Sequence, residues 1–537
     1  MPTSQYKKLL ERAEGLYADR NTTENTWQQI ADNELGRRDF TTIRSRGEQR
    51  LQHVYDGTSK ISGGLLTGSI HSLMTSPAQR WFALGFEDPR LQRDAEAAAW
   101  LDLSEKRLYA ALAAPAANFH AQLAETYIDL VYFGTGALFI DDVPGQGVRF
   151  STRPLQEMFL AEDPSGRIDT MVRRFKLSAR QAVSLWGDKA VSAGKALGGS
   201  SFEDTAEYVH IILPNEDLIE QNIDASGMPW ASFILSTTDA AIMSEGGFQE
   251  LPIATPRWQK DAGEVYGRGP GWDALSDQKM LNEMMKVTLK AGQKAVDPTL
   301  MIDSGAVLPG DLVTHPGGTI MVDTIMANMN PPIQPLVSGS NFNISQALIA
   351  DTRNSVQNAF LKPLVEAVRD PRMTATQTLE LSAQMSRHMA PILGRQQTEM
   401  AEPILERVFA IEARAGRLPP PPPQIADQPL KIDYVNPIAR AQQTSDARAI
   451  IDFSGVVTNL SQVAPEVLDI VDWDATTREL GEALGVPPVA MRDARNVAAR
   501  RAAEQQLAEE AEQERQAVVA TDQLAKVAKA TQQQGAQ

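Results

Sequence analysis

Residues 264–296 read EVYGRGPGWDALSDQKMLNEMMKVTLKAGQKAV, and the larger part of this stretch decides what kind of fold the chain has. From Trp272 to Val296 the apolar residues Leu281, Met284, Met285 and Leu289 fall at i, i+3, i+4 and i+8, the spacing of one face of an α-helix. Lys286, Lys290 and Lys294 line up at i, i+4 and i+8 on another face. At 1.5 Å per residue such a helix is roughly 37 Å long. The residues that follow, 297–343, are rich in Pro and Gly and hold short β-type runs (LMI, AVL, TIMV). A second helix is predicted from about Ile344, with Leu348, Val356, Phe360, Leu364 and Val365 as its apolar positions. Two helices therefore bracket a small compact insert. The lysine row has two readings: a solvated face or one that pairs with Asp and Glu of a neighbouring subunit, and, more sharply, the lining of a passage for DNA.

Downstream, Glu366–Met373 is a short polar link holding Arg369, Asp370, Pro371 and Arg372. Its charges read first as ordinary loop charges; its place between two helices makes a moving contact the sharper reading. Thr374 with Gln377 forms a capping box, and the helix they start persists to about Ala415, roughly 60 Å if continuous. Pro391 and Pro403 inside it are expected to kink it. Gly416 is the stop, and Pro419–Pro423 is a proline rod leading to another unit. Residues 489–534 contain no Gly or Pro and draw their apolar content mostly from alanine, which predicts a helix that needs neighbours.

Upstream, Tyr6 to Arg50 reads as an amphipathic helical lead-in with Leu9, Leu10, Ala13, Leu16 and Tyr17 at helical spacing, followed by Trp27 and Ile30. Tyr55–Met74 mixes small and apolar residues, as a closely packed helix does, and ends at Ser76-Pro77. An Ala-rich helical pattern runs from about Arg93 to Tyr132 with a break at Pro115. Between Gly134 and Trp258 the period changes to short β-branched and aromatic runs, with Asp163-Pro164-Ser165-Gly166 as a hairpin turn, so a small mixed or antiparallel sheet is expected there.

The composition bounds the function. A chain of 537 residues has the length of roughly three to five compact units. Its net charge of −17 lacks the basic excess that grips phosphates non-specifically, so tight DNA binding by one copy is not expected. With no cysteine, disulfides, thiolate nucleophiles and Cys-ligated metals are excluded, and a reducing compartment fits. The N-terminus lacks an apolar signal core, and Ile128–Ile140, the longest apolar stretch, is too short to span a bilayer, so neither secretion nor membrane insertion is expected. The six histidines show no metal-site spacing and read as structural or surface residues. Gly63–Ser69 superficially resembles a phosphate loop but lacks its Lys, and no Gly-x-Ser-x-Gly is present. Asp472 and Asp474 around Trp473 read as a solvated turn. No catalytic residue, metal site or cofactor is expected.

Five segments, in order, resemble the head-to-tail connecting, or portal, proteins of short-tailed, podovirus-type bacteriophages. They are Arg50–Thr58; Leu73–Pro77 with Arg80–Leu84; Phe133-Gly134-Thr135-Gly136-Ala137; Glu264–Pro270 continued by Ala274-Leu275, Lys279 and Leu281-Asn282; and Met373–Gln377, where Gln377 stands for the family's acid. The resemblance covers most of residues 20–440. It implies an α+β, predominantly α-helical portal fold with wing, stem, clip and crown or barrel, assembling as a ring of twelve copies at one capsid vertex. On that plan 1–270 is the N-terminal wing, 271–296 the first stem helix, 297–343 the clip and 344–361 the second stem helix. Residues 362–373 are the tunnel loop or valve, 374–436 the kinked wing helix and Pro-rich connection, and 437–537 the crown with its C-terminal helical barrel.

Double-stranded DNA is then expected to pass the channel in both directions, with Lys362, Arg369, Arg372, Lys286, Lys290 and Lys294 as its candidate contacts. The further expected partners are the terminase large subunit, a tail adaptor, and the major capsid and scaffolding proteins. The expected location is the virion, with assembly in the host cytoplasm. An acidic wall suits a conduit, because each basic contact to phosphate is an attachment that a sliding duplex has to break. The alternatives are another virion component such as a tail adaptor, and a carboxylate-dependent hydrolase, which needs a metal-binding cluster the sequence does not display.

Overall fold

The computed structural model describes residues 4–42, 48, 54–88, 91, 94–199, 202–298, 300–303, 319–322, 333–335, 342–368, 389–425, 428–434, 437–462, 464–484, 486, 491, 497–513 and 515. It is α+β and falls into two compact units: Met1–Ala83, Lys106–Leu418 and Tyr434–Ile438 form the first, and Leu84–Glu105, Pro419–Asp433 and Ala439–Gln537 the second.

In the first unit α1 (Ser4–Ile30) buries Tyr6, Ala13, Arg20 and Trp27, a stripe repeating every two turns. The helix was expected to reach Arg50. It stops at a π-turn, Ala31–Leu35, because Gly36 takes a left-handed φ of 68° and returns its N–H to Ala31 O at 2.8 Å. The chain then wraps Gln28, whose Oε1 accepts from the backbone N–H of Phe40, Thr41 and Thr42 at 2.7, 3.0 and 3.2 Å. Next in chain order come α2 (Thr58–Met74), β1 (Phe82–Phe86), α3 (Ala95–Ala113) and α4 (Phe119–Phe133), the Ala-rich pattern being separated at Pro115 as predicted; most of β1 and the first part of α3 belong to the second unit.

The β-rich region is antiparallel throughout. Strand β2 (Leu138–Val143) pairs with β3 (Gly147–Thr152) and with the short β9 (Ile253–Ala254). A larger sheet runs in the order β4 (Met158–Glu162), β5 (Ile168–Ser178), β6 (Thr205–Pro214), β7 (Trp230–Ser236), β8 (Ala241–Phe248). The predicted turn joins β4 to β5, with Asp163 Oδ1 accepting from the N–H of Ser165 and Arg167 at 2.8 and 2.9 Å. Alternation along the strands gives the sheet two apolar faces. Phe159, Val172, Val209, Ile211 and Leu235 meet Tyr6 and Ala13 of α1, whereas Tyr208 and Met243 meet α5 (Ala179–Trp186) and α6 (Val191–Gly198).

The long helix predicted from 264–296 is α7 (Pro270–Val296), with Gly269 as N-cap and Pro270 at the first position, where its missing N–H is not needed. Its partner α8 (Phe342–Ala359) runs back antiparallel. Leu348 shares a groove with Val287 and Thr288, Arg353 Nη2 reaches Met285 Sδ at 3.7 Å, and the Phe360 ring lies 5.7 Å from that of Tyr132. Between them, β10 (Leu300–Asp303) pairs parallel with β11 (Thr319–Val322) and antiparallel with β12 (Ile333–Pro335). The apolar face of α7 is not buried along its length: Leu281 is covered, whereas Val287, Leu289 and Val296 stand exposed.

The segment expected as a link from 362 begins instead as helix α9 (Lys362–Val368). Leu361 breaks it from α8 by adopting a left-handed φ of 53°, Pro363 sits in the first turn, where proline is tolerated, and Val365 is buried. Arg369, Arg372 and the Thr374–Gln377 cap lie outside the described residues. The helix expected beyond them is seen at 389–396 and continues through a π-turn, Gln397–Ala401, into α10 (Glu402–Arg414). The break falls just ahead of Pro403, whose ring would otherwise press on the carbonyl four residues back. Gly416 ends the helix with φ 65°.

In the second unit, most of β1 and β13 (Leu430–Tyr434) make a two-stranded sheet, and Trp100 Nε1 donates to Pro419 O at 2.8 Å. Helices α11 (Pro437–Ser461) and α12 (Trp473–Ala483) follow, with helical residues at 497–513. Asp472 is a helix cap rather than a turn residue: its Oδ1 accepts from the N–H of Asp474 and Ala475 at 3.1 and 3.0 Å. Asp474 pairs with Arg501, Nη2 to Oδ1 2.9 Å.

Candidate functional site

Two of the sequence segments set apart by their glycines meet in one joint. At the end of α4 the Gly134 N–H closes on Leu130 O, and with a φ of 81° Gly134 packs against Gly267 and Gly269 in the stretch that opens α7. A Cβ at Gly134 would lie 2.5 Å from Gly269 N, and one at Gly269 would lie 2.6 Å from Val131 O, so the two backbones approach as only glycine permits. Thr135 Oγ1 accepts from Gly267 N–H at 2.9 Å, and Phe133 O accepts from Trp27 Nε1 and Trp272 Nε1 at 2.9 and 3.0 Å. The Tyr266 ring packs edge-on to Trp27 at 5.2 Å, and its hydroxyl oxygen accepts from Leu160 N–H at 3.0 Å. This joint fixes where α7 leaves the body.

Beside it lies Arg257, 2% exposed. Its Nη2 donates to Glu399 Oε1 at 2.6 Å and to Gly166 O at 3.0 Å, its Nη1 to Val265 O at 3.1 Å and to Glu162, and its backbone N–H to Glu399 Oε2 at 2.9 Å. Burial alone would lower the guanidinium's pKa; hydrogen bonds and charge from Glu399 and Glu162 outweigh it and hold it above its ordinary value. Gln396 Nε2 donates to Arg257 O at 2.7 Å. Both Gln396 and Glu399 come from the π-turn region, so the broken helix is tied at its break to the sheet and to the strand before α7.

A third junction holds the helix pair. Asn282 Oδ1 on α7 accepts from the N–H of Tyr55 and Asp56 at 3.0 and 3.1 Å, and its Nδ2 donates to Asn33 O at 3.1 Å. Asp56 in turn accepts from Arg353 of α8, Nη2 to Oδ2 2.7 Å. Buried Glu34, bonded by the Ser59 hydroxyl at 2.9 Å, is pushed well above the usual carboxylate range by burial.

Of the candidate DNA contacts, Arg369 and Arg372 lie outside the described residues. Lys286 pairs with Glu283 at 3.0 Å, while Lys290 and Lys294 stand exposed toward the far end of α7. Lys362 is largely covered, with Glu366 at 3.6 Å, and the antiparallel run of α8 sets it near the start of α7. Two of the six histidines, distant in sequence, are neighbours: His71 and His120 pack edge to face at 5.5 Å, and burial lowers the pKa of both. Among the described residues no group of three or more His, Asp or Glu side chains is placed to hold a metal ion, and no helix is long and apolar enough to cross a membrane. Sequence reasoning missed Arg257, Glu162, Glu399 and Arg353, because their partners lie tens to hundreds of residues away. Asn282 and Asp56 were quoted only within motifs.

The sequence matches the family described as "Bacteriophage head to tail connecting protein" over residues 6–491. It is 28% identical to the "Portal protein" of Salmonella phage epsilon15, covering 91% of this chain and 89% of that protein. It is also 28% identical to the "Probable portal protein" of Bordetella phage BPP-1, covering 95% and 93%. Three of the five motifs that carry the resemblance are segments the fold joins at Gly134–Gly269 and Asp56–Asn282, and the match spans nearly the whole chain: it belongs to the bacteriophage head to tail connecting protein family.

Proposed function

We propose that this chain is the portal of its phage: a ring of twelve copies at one capsid vertex through which double-stranded DNA enters and later leaves. The observation that carries the reading is the helix pair α7 and α8, which brackets a small strand-bearing insert and leaves Val287, Leu289 and Leu348 exposed on a lone copy. Apolar faces of this kind are what a cyclic assembly covers. On this reading 1–270 and 374–436 are wing, 271–296 and 344–361 stem, 297–343 clip and 437–537 crown and barrel. Residues 362–373 act as the valve region. Its first seven residues form α9, and Lys362, Arg369 and Arg372 are its candidate DNA contacts.

The ring performs no chemistry of its own. The motor is the terminase large subunit docked on the clip, a tail adaptor takes over after packaging, and capsid and scaffolding proteins surround the wing. The protein resides in the virion after assembly in the host cytoplasm. Native mass spectrometry tests the ring: twelve copies of 58.7 kDa give about 704 kDa, and only monomer or dimer across a range of salt would overturn the reading. Heads carrying Arg369→Ala with Arg372→Ala test the valve. Retained DNA should fall most at low ionic strength, because phosphate contacts are salt-sensitive. Retention equal to wild type in intact rings would make these ordinary loop charges.

A further inference from the structure

Two histidines far apart in sequence stand side by side where α2 ends and α4 begins. His71 lies in the last turn of α2 and His120 in the first turn of α4. Their rings are 5.5 Å apart, and His71 Nε2 and His120 Nδ1 are both buried with no hydrogen-bond partner among the described residues. One buried polar atom left so is costly, and two neighbours left so call for a shared partner.

The surroundings hold both rings in place. Thr75, one turn after His71, shares a hydrogen bond with Tyr127, Oγ1 to hydroxyl oxygen 3.1 Å, and the Tyr127 ring lies 6.0 Å from that of His71. On the other side the Phe119 ring lies 5.0 Å from that of His120. Burial lowers the pKa of both histidines, and the neighbouring His120 lowers that of His71 further. Both imidazoles are therefore neutral at pH 7, and each keeps a nitrogen lone pair to offer. A metal ion sits about 2.0–2.1 Å from a bound imidazole nitrogen, hence about 3.2 Å from the ring centre, and a tetrahedral angle then sets two such ring centres about 5 Å apart. The observed separation of 5.5 Å is close to that.

We propose that His71 Nε2 and His120 Nδ1 together bind one divalent transition-metal ion, which ties the end of α2 to the start of α4. Imidazole nitrogens suit zinc, copper or nickel, whereas magnesium or calcium would need oxygen ligands. The remaining coordination positions face water. A cavity of about 340 Å³ reaches His120, with Trp81, Tyr109 and Phe119 among its lining and Arg80 and Lys106 beside them. These two basic groups oppose a bare cation, so the ion is expected to enter with hydroxide or another anion in one of its open positions.

Metal titration of the untagged full-length protein, first stripped with a chelator, tests the site. The chain has no cysteine, so no thiolate competes for the ion. Copper(II) should give an electron paramagnetic resonance spectrum split by two nitrogens. Zinc(II) at a hundredfold excess over its Kd should raise the thermal unfolding midpoint by about 2 °C or more. His71→Gln and His120→Gln should each weaken zinc binding by about tenfold or more, whereas His315→Gln, which leaves the pair intact, should not. The metal-free midpoint of each variant separates loss of a ligand from loss of the fold. Where a variant does not fold, the wild-type copper spectrum decides, and one without two-nitrogen splitting would overturn the site. Unchanged zinc affinity in both folded variants would overturn it as well. So would no binding at about millimolar ion, which would leave a buried water as the partner of both nitrogens.

Discussion

The joint around Arg257 and the helix α11 place opposite demands on a single copy. At the joint each charge is answered inside the chain: Arg257 is enclosed by Glu162, Glu399 and two carbonyls, and Gly134 lies against Gly269 with no room for a Cβ. On α11, Phe453, Val456 and Leu460 stand at i, i+3 and i+7, and all three are more than half exposed. The first region is stable because its partners are distant parts of the same chain. The second displays an apolar seam that the described residues leave exposed, and on the proposed ring reading another copy covers it. The chain thus separates a body that closes on itself from surfaces that do not, as expected of a protein built to work as an assembly.

Four substitutions should break or sharpen this contrast. The largest effect is expected from Arg257→Ala, which removes the buried guanidinium bridging Glu162 and Glu399 and leaves them, among the described residues, only the cations Lys260 at 2.7 Å and Arg395 at 3.7 Å. It should cost roughly 3–5 kcal/mol in the first unit, measured by denaturant unfolding followed through Trp27 and Trp272 fluorescence. A loss below about 1 kcal/mol would mean that Glu162 and Glu399 rehydrate freely. Gly134→Ala should follow at roughly 2–4 kcal/mol, since a left-handed φ of 81° and a Cβ 2.5 Å from Gly269 N act together. An unchanged midpoint would show that the joint can open.

The third effect depends on pH. Burial, helped by Arg153 and Arg173, pushes His210 down to about 3, whereas the unfolded chain binds that proton near pH 6.5. The folded state therefore holds its full stability above pH 6.5 and loses it as the pH falls toward 3, at about 1.4 kcal/mol per pH unit for this group. His210→Gln should remove about 2–3 kcal/mol of the difference between pH 6.5 and 4.5, read from unfolding at both values. Equal pH slopes in variant and wild type would show that the imidazole titrates normally in the fold. The smallest effect on the single copy is expected from Phe453→Ser, within about 0.5 kcal/mol. The same change should lower ring stability markedly by native mass spectrometry, and a monomer destabilised as much as the ring would mean that Phe453 already has its partner within the chain.

The sequence pattern located helices within Tyr6–Arg50, over Tyr55–Met74 and over Trp272–Val296, a mixed or antiparallel sheet between Gly134 and Trp258, the Asp163 turn and a kink at Pro403; that the sheet is antiparallel came from the fold. The elements so located follow from spacing, glycine and proline, which act over a few residues and can be read in a line. The end of α1 at Ile30 and its π-turn to Leu35, the helix at Lys362–Val368 and the role of Asp472 as a cap needed the fold, because each depends on a left-handed residue or a hydrogen bond that competes with a plausible local pattern. The Arg257 cluster needed it most. Glu162 is 95 residues away and Glu399 142, and nothing in either neighbourhood marks it as a partner. A charge pair is specified by position in space, and only the tertiary structure brings those positions together.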